Sequence, residues 1–199
     1  MTGLGHCLPR LARQNDGATA AEFGLVLPVL VTVLMGLFDM GYNMWALNIL
    51  QGAVQQAARN STLESAATQT STIDGKVTTR VQQLVPSAQL TFTRKSYTNF
   101  SNVNTPEDFT DANSNGVCDN GEPFEDANSN GIWDADRGVN GVGGARDAVL
   151  YTVTMTYPRI FPMAKLVGLS STVSATAKTV LRNQPYKLQE ASTTIGSCK

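Results

Sequence analysis

The longest apolar run of the chain, residues 23–38 (FGLVLPVLVTVLMGLF), carries no charge, and its apolar side chains would occupy every face of a helix rather than one stripe. A helix that is apolar all round belongs in lipid rather than on a domain surface. At about 1.5 Å per residue the run falls short of a hydrocarbon core of roughly 30 Å, so residues 18–21 and Met40 onward are expected to complete the span. Pro28 is tolerable in such a membrane helix, and Tyr42 and Trp45 are placed for the far interfacial belt. Beyond the run, Trp45, Ile49, Leu50, Ala53, Val54 and Ala57 fall on one helical stripe, which predicts that the same helix continues to Arg59. Ile73, Val77, Val81 and Leu84 repeat the pattern and predict a second helix over residues 73–85, stopped by Pro86. Alternation of apolar and polar positions over residues 89–94, 149–157 and 171–181 predicts three strands with one wet face. Long insertions separate them, so an antiparallel sheet packed on the helical spine is expected. The predicted class is α+β, a long N-terminal transmembrane helix continuing into a domain with a small antiparallel sheet.

Charge changes the picture in two places. Arg10 and Arg13 precede the apolar run and the next basic residue is Arg59, an asymmetry that predicts a cytoplasmic N-terminus and an exported remainder. A cleaved secretory signal shares this asymmetry, but Glu22 stands at the entrance of the run and no small-x-small site follows it. The formal net charge of −1 conceals an acidic island, since residues 107–147 hold ten of the sixteen acids and only two bases, Arg137 and Arg146. No basic patch with interleaved aromatics occurs, so nucleic acid is not an expected partner. The one histidine, His6, has no acid or cysteine at ligand spacing and leaves the body of the chain without a general base. Neither an enzyme nor a small-molecule substrate is expected.

The island contains a motif. Asp111, Asn113, Asn115, Gly116, Val117, Asp119 and Glu122 fall at the ligand and glycine positions of a twelve-residue EF-hand calcium loop. Hard cations take clustered oxygens, and alternating residues let a curled chain converge the side chains with the Val117 carbonyl, while Glu122 closes the cage. Fifteen residues on, the motif returns as Asp126, Asn128, Asn130, Gly131, Ile132 and Asp134, with the Ile132 carbonyl in the place of Val117. Its twelfth position is Arg137, so the closing carboxylate is expected from Asp136, Glu125 or elsewhere. Pro106 and Pro123 leave no room for flanking helices, so the pair is similar to helix-free calcium repeats of extracellular proteins. Asn, Asp and Gly also favour solvated turns, but two tandem copies inside the acidic island favour calcium over a polar linker.

The segment Gly17-Ala18-Thr19-Ala20-Ala21-Glu22-Phe23 resembles the processing motif of Flp-type prepilins, a glycine followed five residues later by glutamate and then an aromatic. The resemblance implies removal of a leader after Gly17 by a prepilin peptidase, leaving an ammonium at Ala18 one turn before Glu22. In an assembly it implies that Glu22 neutralises the amine of an adjacent subunit. The stretch from Gly17 to Arg59, including Asp39 and Gly41, looks like the N-terminal signature of TadE-like proteins. YTVTMTYPRIFPMAKLVGL and TAKTVLRNQPY look like the paired C-terminal strands of that family, with Gln184 departing from a common glutamate.

What the resemblance implies is a pilin-like subunit, a minor pilin or pseudopilin of a tight-adherence (Flp/Tad) pilus at the bacterial inner membrane. Its partners would be other pilins, the assembly platform and the peptidase; entry into the extracellular filament and mere priming of assembly both stay open. The alternative is a calcium-dependent surface adhesin or envelope protein on the same anchor. The expected organisation is a leader at 1–17, a transmembrane and spine helix at 18–60, an exported domain at 61–106 and 147–187, the acidic insertion at 107–146 and a tail at 188–199. Of the three cysteines, Cys7 leaves with the leader. Cys118 and Cys198 remain on the oxidising side and are expected to pair.

Overall fold

The computed structural model of the 199-residue chain describes residues 16–61, 70–119, 121–144, 146–161, 168–182 and 194–199. Arg10, Arg13, His6, Cys7 and the rest of the expected leader before Asp16 lie outside the described residues.

A single helix, α1 (Asp16–Ser61), runs for 46 residues. Pro28 lies inside it, and the Thr32 hydroxyl donates to the Pro28 carbonyl at 2.7 Å. By length and composition α1 can cross a membrane, and none of its most apolar window is buried by protein. The contact pattern divides the chain into two units, Met1–Met44 with Arg159–Ser171, and Trp45–Pro158 with Thr172–Lys199.

In the second unit the stripe of α1 is buried through Ala46, Leu50, Ala53, Val54 and Ala57. The predicted stripe is corrected at its start, because Trp45 is 43% exposed and Ala46 turns inward in its place. Helix α2 (Thr70–Gln82) buries Ile73, Val77 and Val81, one residue per turn. It ends earlier than predicted. The Leu84 amide bonds the Val81 carbonyl at 3.1 Å in a tightened turn, so Val85, not Leu84, enters the core while Leu84 is left 40% exposed.

The sheet is antiparallel, formed by β1 (Gln89–Tyr97), β3 (Val139–Asn140), β4 (Ala148–Pro158) and β5 (Thr172–Arg182) in the order β3-β1-β4-β5. Phe92 lies opposite Val153, which lies opposite Ala177. Val149, Tyr151, Val153, Met155 and Tyr157 bury one face of β4, as its alternation predicts. The wet face begins late, since Ala148 and Leu150 are buried as well. Two short strands, β2 (Pro123–Asp126) and β6 (Thr194–Ser197), make a separate pair. The class is the expected α+β, a long apolar N-terminal helix followed by a small antiparallel sheet domain.

A polar clasp ties α2 to the sheet. Asp74 accepts from Arg94 Nη1 at 3.0 Å and from the Tyr151 hydroxyl at 2.6 Å, while the Arg94 guanidinium lies 4.5 Å from the centre of the Tyr151 ring. Burial, and then the bond to Asp74, push the Tyr151 phenol well above its ordinary range.

Candidate functional site

The acidic island is the insertion between β1 and β4, and its two halves repeat one design. Phe109 forms an antiparallel bridge with Phe124, flanked by bonds from the Thr110 amide to the Pro123 carbonyl at 2.9 Å and from the Glu125 amide to the Asp108 carbonyl at 2.7 Å. One Asn/Asp loop leaves each of these short segments.

In the first loop the Asp111 carboxylate accepts the amides of Asn115 at 3.1 Å and Gly116 at 2.8 Å. Asn113 Oδ1 also caps the Asn115 amide, and Asn115 Oδ1 caps Val117 at 2.8 Å. Both amide side chains then converge on Asp119 Oδ2, from Asn113 at 2.7 Å and Asn115 at 2.6 Å. These two bonds hold the Asp119 carboxyl below the usual range. Gly116 takes φ +76°, the left-handed conformation that suits glycine at the sharp turn. The second loop matches bond for bond. Asp126 accepts Asn130 at 3.0 Å and Gly131 at 2.8 Å, Asn130 Oδ1 accepts Ile132 at 2.7 Å, and Asn128 and Asn130 each donate to Asp134 Oδ2 at 2.6 Å.

The closing glutamates make the repeat reciprocal. Glu122 accepts the amides of Ala112 at 2.8 Å and Asp119 at 2.9 Å, bracing the first loop. Glu107 does the same for the second loop, accepting Ala127 at 2.8 Å and Asp134 at 3.0 Å. Each loop is therefore braced by the glutamate that stands four residues ahead of the other one's leading aspartate. Glu107 is the residue the motif analysis missed. A signal was present, since Glu107, Phe109 and Asp111 recur at the fifteen-residue offset as Glu122, Phe124 and Asp126.

Two expected closers, Asp136 and Glu125, face other partners. Asp136 is turned to the sheet, where it accepts from Lys95 Nζ at 2.7 Å and the Tyr97 hydroxyl at 2.9 Å. Burial opposes its ionisation, but these partners and the Gly138 amide outweigh it and hold its carboxyl below the usual range. Burial and the bond to Asp136 push Tyr97 up to about 12. Glu125 instead meets Arg137 at 3.0 Å, and Arg137 reaches Asp108 at 3.1 Å, so the twelfth-position arginine bridges the two short segments.

The loops are rich in oxygen donors, but among the described residues no three acidic, histidine or cysteine side chains are grouped closely enough to hold a metal ion. Glu107, Glu122 and Asp126 are 1%, 6% and 4% exposed, and among the described residues none of the three pairs with a cationic side chain. Glu107 and Glu122 each take two backbone amides instead, and Asp126 takes those of Asn130 and Gly131. The asparagine nitrogens point at the carboxylates of Asp119 and Asp134, while their oxygens cap the backbone amides two residues on.

The tail closes the region. In the β2–β6 pair the Cys198 amide donates to the Glu122 carbonyl at 2.8 Å and the Gly121 amide to the Cys198 carbonyl at 2.9 Å. Cys118 and Cys198 are thereby brought together as a disulfide with 5.7 Å between their Cα atoms. Gly196 lies so close to the Phe124 ring that a side chain there would collide with it. In the second loop the position matching Cys118 is Trp133, whose Nε1 donates to the Glu107 carbonyl at 2.9 Å and whose ring meets Phe109 edge-on at 5.7 Å.

In the other unit, Gly17, Ala18, Glu22 and Phe23 all lie on α1, with Glu22 and Phe23 exposed.

Fold and site thus define a class, an α+β protein on one long apolar helix, with paired Asn/Asp loops inserted in its sheet. Residues 17–59 match the family described as TadE-like protein, a stretch that coincides with α1 from Gly17 onward. No curated protein and no solved structure matches the chain.

Proposed function

We propose that the protein is a minor pilin or pseudopilin acting in assembly of a tight-adherence pilus, anchored in the bacterial inner membrane by α1 with its C-terminal domain exported. The observation that carries this reading is the TadE-like match over residues 17–59, lying on a 46-residue helix with none of its most apolar window buried. The work is association, not catalysis. The apolar half of α1 packs with lipid or other pilin helices, and Glu22 meets the ammonium freed at Ala18 on a neighbouring subunit. In the exported insertion, Asp111, Asn113, Asn115, Asp119 and Glu122 hold one calcium ion, and Asp126, Asn128, Asn130, Asp134 and Glu107 a second. Their role is structural, since modules outside the cell bind calcium at around 0.1–1 mM.

The test is the intact mass of the membrane-extracted protein, without reductant. A chain beginning at Ala18, and two hydrogens lighter than its reduced form through the Cys118–Cys198 bond, is the expected result. A chain that keeps Arg10 and Arg13, or one that begins after residue 40, contradicts the pilin reading. The adhesin alternative keeps the calcium sites but predicts normal pilus assembly in cells lacking the protein.

A further inference from the structure

The loop joining β4 to β5 belongs to the same unit as the apolar helix, and what it presents there is unusual for an exported turn. Phe161 stacks on Phe38 of α1, with ring centres 6.4 Å apart. Ile160 and Leu169 are 57% and 53% exposed beside it. Arg159, at the start of the loop, forms an ion pair with Asp39 of α1, each side chain 17% exposed. Asn43 Nδ2 donates to the same Asp39 oxygen at 3.2 Å, and Arg159 Nε donates to the Ser170 carbonyl at 3.0 Å, pinning both ends of the loop to one guanidinium.

Asp39 is the first charged residue of α1 after Glu22, so it stands where the charge-free run ends. A lone carboxylate at the edge of hydrocarbon is expensive, and so is a lone guanidinium; paired, they present no net charge there. Phe38, which Phe161 covers in part, remains 63% exposed, and Leu37 is 61% exposed, so the Phe161 ring joins the exposed apolar surface of the helix, with Ile160 next to it in the chain and Leu169 next to Ser170, which Arg159 holds.

We propose that the two ends of the β4–β5 loop, residues 159–161 and 168–170, make a second membrane contact, seated in the lipid interface beside the far end of the transmembrane segment. The occupant of its apolar surface is the bilayer, by continuity with α1. The proposal rests on reading α1 as membrane-spanning. It makes the loop an interfacial foot whose Arg159–Asp39 pair holds it against the helix.

Spin-label accessibility of the full chain, in a Cys7→Ser background in vesicles of phosphatidylethanolamine and phosphatidylglycerol at high lipid dilution, tests it. Labels are placed at Leu169→Cys, at Leu30→Cys in the apolar run and at Ile132→Cys in the acidic insertion. The expected result is a ratio of oxygen to aqueous nickel-chelate collision several-fold higher at 169 than at 132, approaching that at 30. A label at 169 that collides with the nickel reagent as freely as one at 132, while 30 stays lipidic, overturns the foot and leaves the anchor standing. Nickel access at 30 overturns the membrane reading itself. Exclusion of both reagents at 169 shows the surface covered by protein, and a second copy then replaces lipid as the occupant, against the proposal.

Discussion

Glu107 is buried as a carboxylate whose two oxygens each take a backbone amide of the second Asn/Asp loop, so its role is separable from the acidity of the island. In a calorimetric calcium titration of the full chain in detergent, Glu107→Gln is expected to weaken one of two sites by at least the about 10- to 100-fold that changes of supporting residues cost. Asp136→Asn is expected to leave both sites unchanged, because Asp136 serves Lys95 and Tyr97. Equal losses in the two variants would return the closing role to Asp136. That cluster also makes a pH prediction. Asp136 is held low, so its stabilisation is present above the ordinary carboxylate range, near 4, and lost as pH falls through its lowered folded value. Tyr97 is pushed up to about 12, so its contribution is complete below the ordinary phenol value of about 10 and lost as pH rises towards 12. Phenolate absorbance should show Tyr97 ionising late, and Asp136→Asn should bring it earlier, since part of the elevation comes from that carboxylate.

At the scale of elements, α1 is one helix with two kinds of surface. Its first half is apolar on all sides and bare, whereas after Trp45 only the stripe through Ala46, Leu50, Ala53, Val54 and Ala57 is buried. Leu50→Ala should therefore cost about 2–5 kcal/mol in denaturant unfolding of the sheet domain, as fully buried leucines do. Leu30→Ala should leave that transition unmoved, because Leu30 is 46% exposed to whatever surrounds the anchor. The helices and main strands are legible in the sequence because each runs long enough to show its period. Pro123–Asp126, Val139–Asn140 and Thr194–Ser197 are two to four residues long and show none; they exist because partners from distant parts of the chain pair with them. Trp45 and Leu84 were misassigned for a related reason: periodicity fixes a stripe's direction but not the residue at which a helix meets its domain or unwinds.

For the molecule as a whole, the insertion has little apolar core of its own beyond Phe124 and the Phe109–Trp133 contact, and leans on its carboxylates and its tail. Limited proteolysis of the full chain should show cutting within residues 107–147 accelerated by chelator and suppressed by millimolar calcium. Cutting at equal rates in both conditions would reduce the two loops to a polar linker. Reduction of the Cys118–Cys198 bond, which closes an 80-residue separation, should loosen the same region further. In the chain-entropy view such a bond contributes about 3–5 kcal/mol.

Local patterns sufficed for what local physics controls. An unbroken apolar run makes a long helix whatever follows it, a period of two makes a half-buried strand, and Asn and Asp at alternate positions around a glycine make a turn capped by its own side chains. Decisions between distant residues lay beyond those patterns. That Glu107 braces a loop twenty residues away, that Asp136 turns to Lys95 and Tyr97, and that Arg159 meets Asp39 across 120 positions depend on which surfaces the folded chain brings together. Charges alone do not choose partners, because every acid of the island is as acceptable to a cation as its neighbour until burial and backbone geometry leave one of them in reach.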